Sequence, residues 1–259
     1  PPRSGDAMRY HLTQIKDIYW NEGFILRPYA HYNFPINFSY LVFPVYLICG
    51  EMGVQLSVFV LLFFAFIISI KACHFYEIKN SLFVILIFLL TPLILQQSTT
   101  VATDLVVIVF IYTGFVFLAE CETKDMDINF FLGSLAVGYA WASKSYSIFF
   151  AFWFVYILWR VSKNNIFSFI KKFSAFLLIL VLSSSIYYLR NYLNTGNPLW
   201  PSMVGLFPSD NELLNELANS LISGVSGTRS FVTYITSIKN FLKEPECLFF
   251  IWVIGVLGL

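Results

Sequence analysis

Long apolar runs separated by short polar breaks occupy most of the chain, and none of the runs alternates with a period of two. Such runs read as membrane helices, because barrel strands are shorter and switch polarity at every residue. Val54–Ile70 gives the first clear span, closed by Lys71, His74 and Lys79. Leu82–Leu95 gives the second; its Pro92 is tolerable where neighbouring helices satisfy the freed carbonyl. Val101–Ala119 is the third and contains a lone Asp104. Phe130–Ala142 and Tyr146–Trp159 form a tight pair around Ser143-Lys144-Ser145, Phe173–Tyr188 follows, and Leu248–Leu259 begins a last helix. Asn37–Cys49 is shorter than a span and broken by Pro44, so it reads as a re-entrant or interface-lying helix.

Two segments between the spans are amphipathic. In the first, Met8, Leu12, Ile15 and Tyr19 recur at helical spacing, with Arg9, Lys16 and Asp17 elsewhere on the wheel. In the second, Ser209 followed by Glu212 forms a capping box that opens a helix with Leu213, Leu214, Leu217 and Leu221 on one side. Beyond Gly224 and Gly227, Phe231, Tyr234, Ile235, Ile238, Phe241 and Leu242 make another apolar stripe. The expected organisation is a first outer loop over 1–50, a helix bundle over 51–189, a second outer loop over 190–247 and the start of a further span over 248–259. The chain opens at Pro1 without Met and stops inside an apolar run, and so reads as an internal piece of a longer protein.

Composition sharpens this picture. Of 259 residues, 58% are hydrophobic, 19% aromatic and 12% charged, with a mean hydropathy of +0.72. A water-soluble globule carries about 25% charged residues, so both that class and disorder are excluded. The net charge of +1 offers no general attraction to nucleic acid. Basic residues decide the direction of insertion. With the N-terminal segment outside, the inner loops are Lys71–Asn80, Glu120–Asn129 and Arg160–Lys172; the last holds Arg160, Lys163, Lys171 and Lys172, the densest basic cluster. Four scattered cysteines form no Cys-x-x-Cys pair and have no His at ligand spacing, so no metal site is expected; a Cys49–Cys247 disulfide is conceivable.

Several polar residues stand out against this apolar background. Asp6 starts the first amphipathic helix; its ordinary reading is an N-cap, and its functional reading is a surface carboxylate that takes a proton from an attacking hydroxyl. Tyr10 lies one helical turn beyond it, with His11 on the neighbouring face. Asp104 costs several kcal/mol in a span unless it is paired or faces a wet cavity, which makes it a site candidate; helix N-terminus stabilisation is the ordinary alternative. Lys144 at its hairpin tip reads either as a snorkelling cation or as a grip for a phosphate at the bilayer surface. Arg190 and Asn191 open Arg190-Asn191-Tyr192-Leu193-Asn194-Thr195-Gly196-Asn197-Pro198-Leu199-Trp200-Pro201, a helix end and turn flanked by interfacial aromatics.

The order of these features resembles membrane glycosyltransferases of the GT-C superfamily. An outer loop opening with Asp and a short helix, a later Pro-containing segment, an Asp heading the third span and a Gly133-x(4)-Gly138-x(5)-Lys144 hairpin all fit, and the nearest branch is the bacterial protein O-mannosyltransferase and aminoarabinose transferase group. The resemblance implies a GT-C-like helix bundle. It further implies a sugar carried on a polyprenyl phosphate and an attack by an acceptor hydroxyl at the outer face of a bacterial cytoplasmic membrane. Asp6 takes the position of the base; Lys144 and Arg190 would hold the phosphate; Asp104, His11, Tyr10 and Asn191 would bind or orient substrate. Partners would be membrane lipid and a glycan, lipid or protein acceptor. Relatives with paired carboxylates in the first loop contrast with Asp6-Ala7-Met8 here, and a lone carboxylate is a poor divalent-cation site. Two other classes fit the same composition, a flippase for lipid-linked glycans and a non-catalytic membrane scaffold.

Overall fold

A computed structural model describes residues 12–21, 37–78, 82, 85–86, 89–90, 94–95, 98, 103–121, 127–144, 147, 150–163, 165–200, 205–209 and 212–226. Seven helices stand among the described residues: α1 Leu12–Trp20, α2 Asn37–Phe75, α3 Thr103–Glu120, α4 Ile128–Trp141, α5 Ala151–Val161, α6 Ile166–Thr195 and α7 Glu212–Ser226. Phe38–Phe75, Thr103–Glu120 and Ile166–Thr195 are long and apolar enough to cross a membrane. The described residues are all-α, and helices of this length and apolarity make the chain a membrane protein.

Local chemistry sets the helix ends. Asp127 caps α4 by accepting from the amides of Asn129 and Phe130, and Asn165 caps α6 by accepting from those of Phe167 and Ser168. Gly196, at φ 73°, closes α6 in the left-handed conformation that a residue without Cβ adopts freely. Gly50 (φ 61°, ψ −154°) splits α2 into two arms, directly after the Cys49 at which the short apolar run ends in the sequence. Gly53 accommodates the bend: a Cβ there would meet the Cys49 Cβ and lie 3.0 Å from the Val45 side chain.

Contacts between helices give their directions. The second arm of α2 runs alongside and parallel to α3, joined near their ends by Lys71 and Glu120. α4 returns against α3, with Phe110 beside Tyr139 and Gly133 against Leu118. α6 runs parallel to α4, as Trp141 beside Tyr188 records, and antiparallel to α5, where Phe154 meets Phe176 and Trp159 meets Phe169. Asp104, Lys144 and Arg190 therefore share one end of the bundle, the near end; Glu120, Arg160 and Lys172 lie at the far end. Small residues let α4 sit between α3 and α6, because Gly133, Ser134, Ala136, Gly138 and Ala140 are buried and keep the backbones close.

Several expectations change at this level. Tyr19 does not share the buried face of α1, which consists of Leu12, Gln14, Ile15 and Asp17 packed against the first arm of α2; Tyr19 is exposed. α6 extends beyond Phe173–Tyr188 in both directions because its polar residues find partners within the fold. Lys172 is buried, not a solvated loop cation, and its ammonium donates to the Val161 carbonyl at the end of α5 (3.0 Å). Asn215 brackets Ser209, accepting from its amide and donating to its carbonyl at 2.8 and 2.7 Å. Cys49 carries an exposed thiol, and Cys247, the other half of the conceivable disulfide, lies outside the described residues. The stripe at 231–242 and the start of a span at 248–259 lie outside the described residues.

Candidate functional site

Asp104 sits in the first turn of α3, where the helix dipole favours a carboxylate. Lys144 follows α4 after a tight turn in which the amides of Ser143 and Lys144 both donate to the Ala140 carbonyl. The antiparallel register of α3 and α4 carries the two together: the Lys144 ammonium donates to Asp104 Oδ1 at 2.6 Å. Their side chains are 24% and 37% exposed, so the pair is half-open at the near end. The carboxylate holds the ammonium in place, and an ammonium has three protons to give. Such a pair can present positive charge to an anion while remaining neutral overall.

Arg190 and Asn191 lie in the last turns of α6 and form a buried knot. Arg190 donates from Nε and Nη2 to Asn191 Oδ1 at 3.0 and 2.5 Å, and its guanidinium lies 5.3 Å from the centre of the Tyr187 ring. Asn191, fully buried, donates in turn to the Trp200 carbonyl at 3.0 Å. Tyr187 donates to that same carbonyl at 3.3 Å, and Thr195 donates to the Asn191 carbonyl at 2.8 Å. The Thr195-Gly196-Asn197-Pro198 turn is thus folded back onto α6, and Trp200 is buried against Leu214 and Ala218 of α7. Asn191 acts here as the tie of the turn. The charge of Arg190 also reaches Tyr40, which brings the start of α2 to this end.

Asp6, Tyr10 and His11 lie outside the described residues. The helix that follows them is anchored by three contacts that their sequence pattern did not announce. Ser39 donates to Gln14 Oε1 at 2.8 Å in a buried bond, Lys16 pairs with Glu51 at 2.5 Å, and Tyr19 lies edge-on to Tyr46. The hydrogen bond to Glu51 holds the Lys16 ammonium above the ordinary lysine value. Gln14 could have been noticed as a polar residue beside Leu12 and Ile15 on the buried face; its partner 25 residues away could not.

A family model for a domain of unknown function, DUF8201, matches residues 42–244, most of the chain. The chain belongs to that family. No curated protein and no solved structure matches it. The DUF8201 region takes in Asp104, Lys144, Arg190 and Asn191 and begins after α1, so the near-end pair and the knot are both features of the family region of this chain.

Proposed function

We propose that this DUF8201 protein is a glycosyltransferase that moves a sugar from a polyprenyl-phosphate donor to an acceptor hydroxyl at the outer face of a bacterial cytoplasmic membrane, with a GT-C-like bundle. The observation that carries this reading is the 2.6 Å pair of Lys144 and Asp104 at the bundle end that also holds Arg190. The part-exposed Lys144, with the charge of buried Arg190 at the same end, suits a phosphate whose lipid tail stays in the bilayer. In the displacement, the acceptor oxygen bonds to the anomeric carbon as the bond from that carbon to the phosphate oxygen breaks. The electron pair leaves with the phosphate, and the hydroxyl proton passes to a carboxylate. Lys144 and Arg190 neutralise the departing phosphate, Asp104 keeps Lys144 aimed, and Asp6 receives the proton. Tyr10 and His11 orient the acceptor.

Arg160, Lys163, Lys171 and Lys172 near the far end favour an inward orientation for that end, which turns the Asp104–Lys144 pair outward. The flippase reading calls for charge along the spans. The charged side chains of the described helices instead stand close to helix ends or to the Gly50 bend, which supports surface chemistry over passage through the bundle. Mass spectrometry of envelope glycans from cells carrying Asp6→Asn or Lys144→Gln tests the proposal. Each variant should deplete one glycan species, the Lys144 change by about a hundredfold or more in transfer rate. An unchanged glycan profile at normal protein level in both variants refutes it.

A further inference from the structure

The far end of the bundle holds a feature that the transfer reaction does not use. Where α2 and α3 finish side by side, a hollow of about 470 Å³ opens between Ile67, Ile70, Lys71, His74, Phe75 and Glu120. Lys71 Nζ lies 2.7 Å from Glu120 Oε2 and 3.7 Å above the centre of the Phe117 ring, so its ammonium is fixed from two sides. Its side chain remains 35% exposed, and His74 is exposed beside it. On α2, Phe63, Ile67, Ile70 and His74 follow one another at helical spacing, and the three apolar members are about half exposed or more. One wall of the hollow therefore continues as an apolar track along the lipid-facing side of the helix.

We propose that this hollow binds a phospholipid whose headgroup carries a primary ammonium next to its phosphate, that is, phosphatidylethanolamine. Positive and negative groups line the hollow together, which matches a zwitterion better than a single charge. Lys71 and His74 suit the phosphate, and the Phe63–Ile67–Ile70 track suits an acyl chain. The Glu120 carboxylate accepts from the ammonium, at a point where the negative ends of two parallel helix dipoles converge. A choline headgroup has no N–H to donate to Glu120, and a glycerol headgroup brings no positive charge to it. This inference is independent of glycosyl transfer and holds whatever reaction the near end performs.

Native mass spectrometry of the chain purified in detergent, with equimolar phosphatidylethanolamine, phosphatidylcholine and phosphatidylglycerol of identical acyl chains, tests the assignment. One extra charge-assisted hydrogen bond predicts about tenfold preference for phosphatidylethanolamine over each of the others. Glu120→Gln should erase the preference, and His74→Ala should weaken retention of all three lipids. Because Glu120→Gln also breaks the pair with Lys71, Ile70→Trp serves as a second variant that fills the hollow and leaves every charge in place; it too should abolish the preference. Equal retention of the three lipids by the unaltered chain, or a preference unchanged in both Glu120→Gln and Ile70→Trp, overturns the proposal.

Discussion

The pair of Asp104 and Lys144 can be weighed by a double-mutant cycle with Asp104→Asn and Lys144→Gln. At the observed 2.6 Å, Coulomb attraction is about 1.6 kcal/mol in a water-like medium and about 6 kcal/mol at an effective dielectric of about 20. Side-chain exposures of 24% and 37% put the pair between these limits. Desolvation and the roughly 2 kcal/mol of lysine rotamer entropy then subtract, which leaves a coupling of about 1–2 kcal/mol. Lys144→Gln should be the costlier single change, since it takes the ammonium from a carboxylate at the head of a span, whereas after Asp104→Asn the lysine can snorkel to water. Reversible unfolding in mixed micelles with a rising fraction of denaturing detergent, followed by circular dichroism, reads the four stabilities. The coupling should shrink as salt rises. Additivity within about 0.3 kcal/mol would mean that the residues act independently, and the reasoning from their contact would fail.

Two further outcomes test the packing. Gly138→Ala brings a Cβ against Ser183 Oγ and within 3.0 Å of the Leu180 Cα, a backbone atom that cannot rotate away, so α4 and α6 must part at a cost of about 1–3 kcal/mol in the same unfolding assay. Gly205→Ala, with nothing within 4 Å of the added methyl, is the control; equal loss in both variants would contradict the packing described. Burial first, and Asp127 second, push the Cys121 thiol up to about 12. At pH 8 a maleimide should therefore label exposed Cys49 rapidly and Cys121 only after denaturation. Because the folded value lies above the unfolded one, Cys121 withdraws stability as pH climbs from about 9 toward 12. Prompt labelling of Cys121 in the folded protein would refute its burial.

The sequence was legible where apolar runs are uninterrupted. The runs Val101–Ala119 and Phe130–Ala142 correspond to α3 and α4 within two residues at each end. It misled where polar residues are satisfied inside a helix. Hydropathy ends a span at Lys172 and Arg190, but α6 continues through both, because Lys172 donates to the Val161 carbonyl and Arg190 to Asn191. Ser184 and Ser185 are absorbed in the same way by the carbonyls of Leu180 and Leu182. The candidate site was half readable. Asp104 and Lys144 were each conspicuous as charges at the edge of apolar runs, but their contact depends on the register of α3 against α4, set by the Gly114–Val137 and Gly133–Leu118 approaches. Contacts of α1, such as Ser39 with Gln14, join positions that no local pattern links.

The length of α6 has a mechanical consequence. Thirty residues make a rod of about 45 Å, whereas the hydrocarbon layer is about 30 Å thick. Leu189 and Leu193 stay exposed almost to its tip, so greasy surface persists where the rod outruns the oil. The rod must lean, and its lean grows as the layer thins. Because Asn191 and Tyr187 fasten the Trp200 turn to this rod, bilayer thickness would set the height and angle at which that turn is presented to the water.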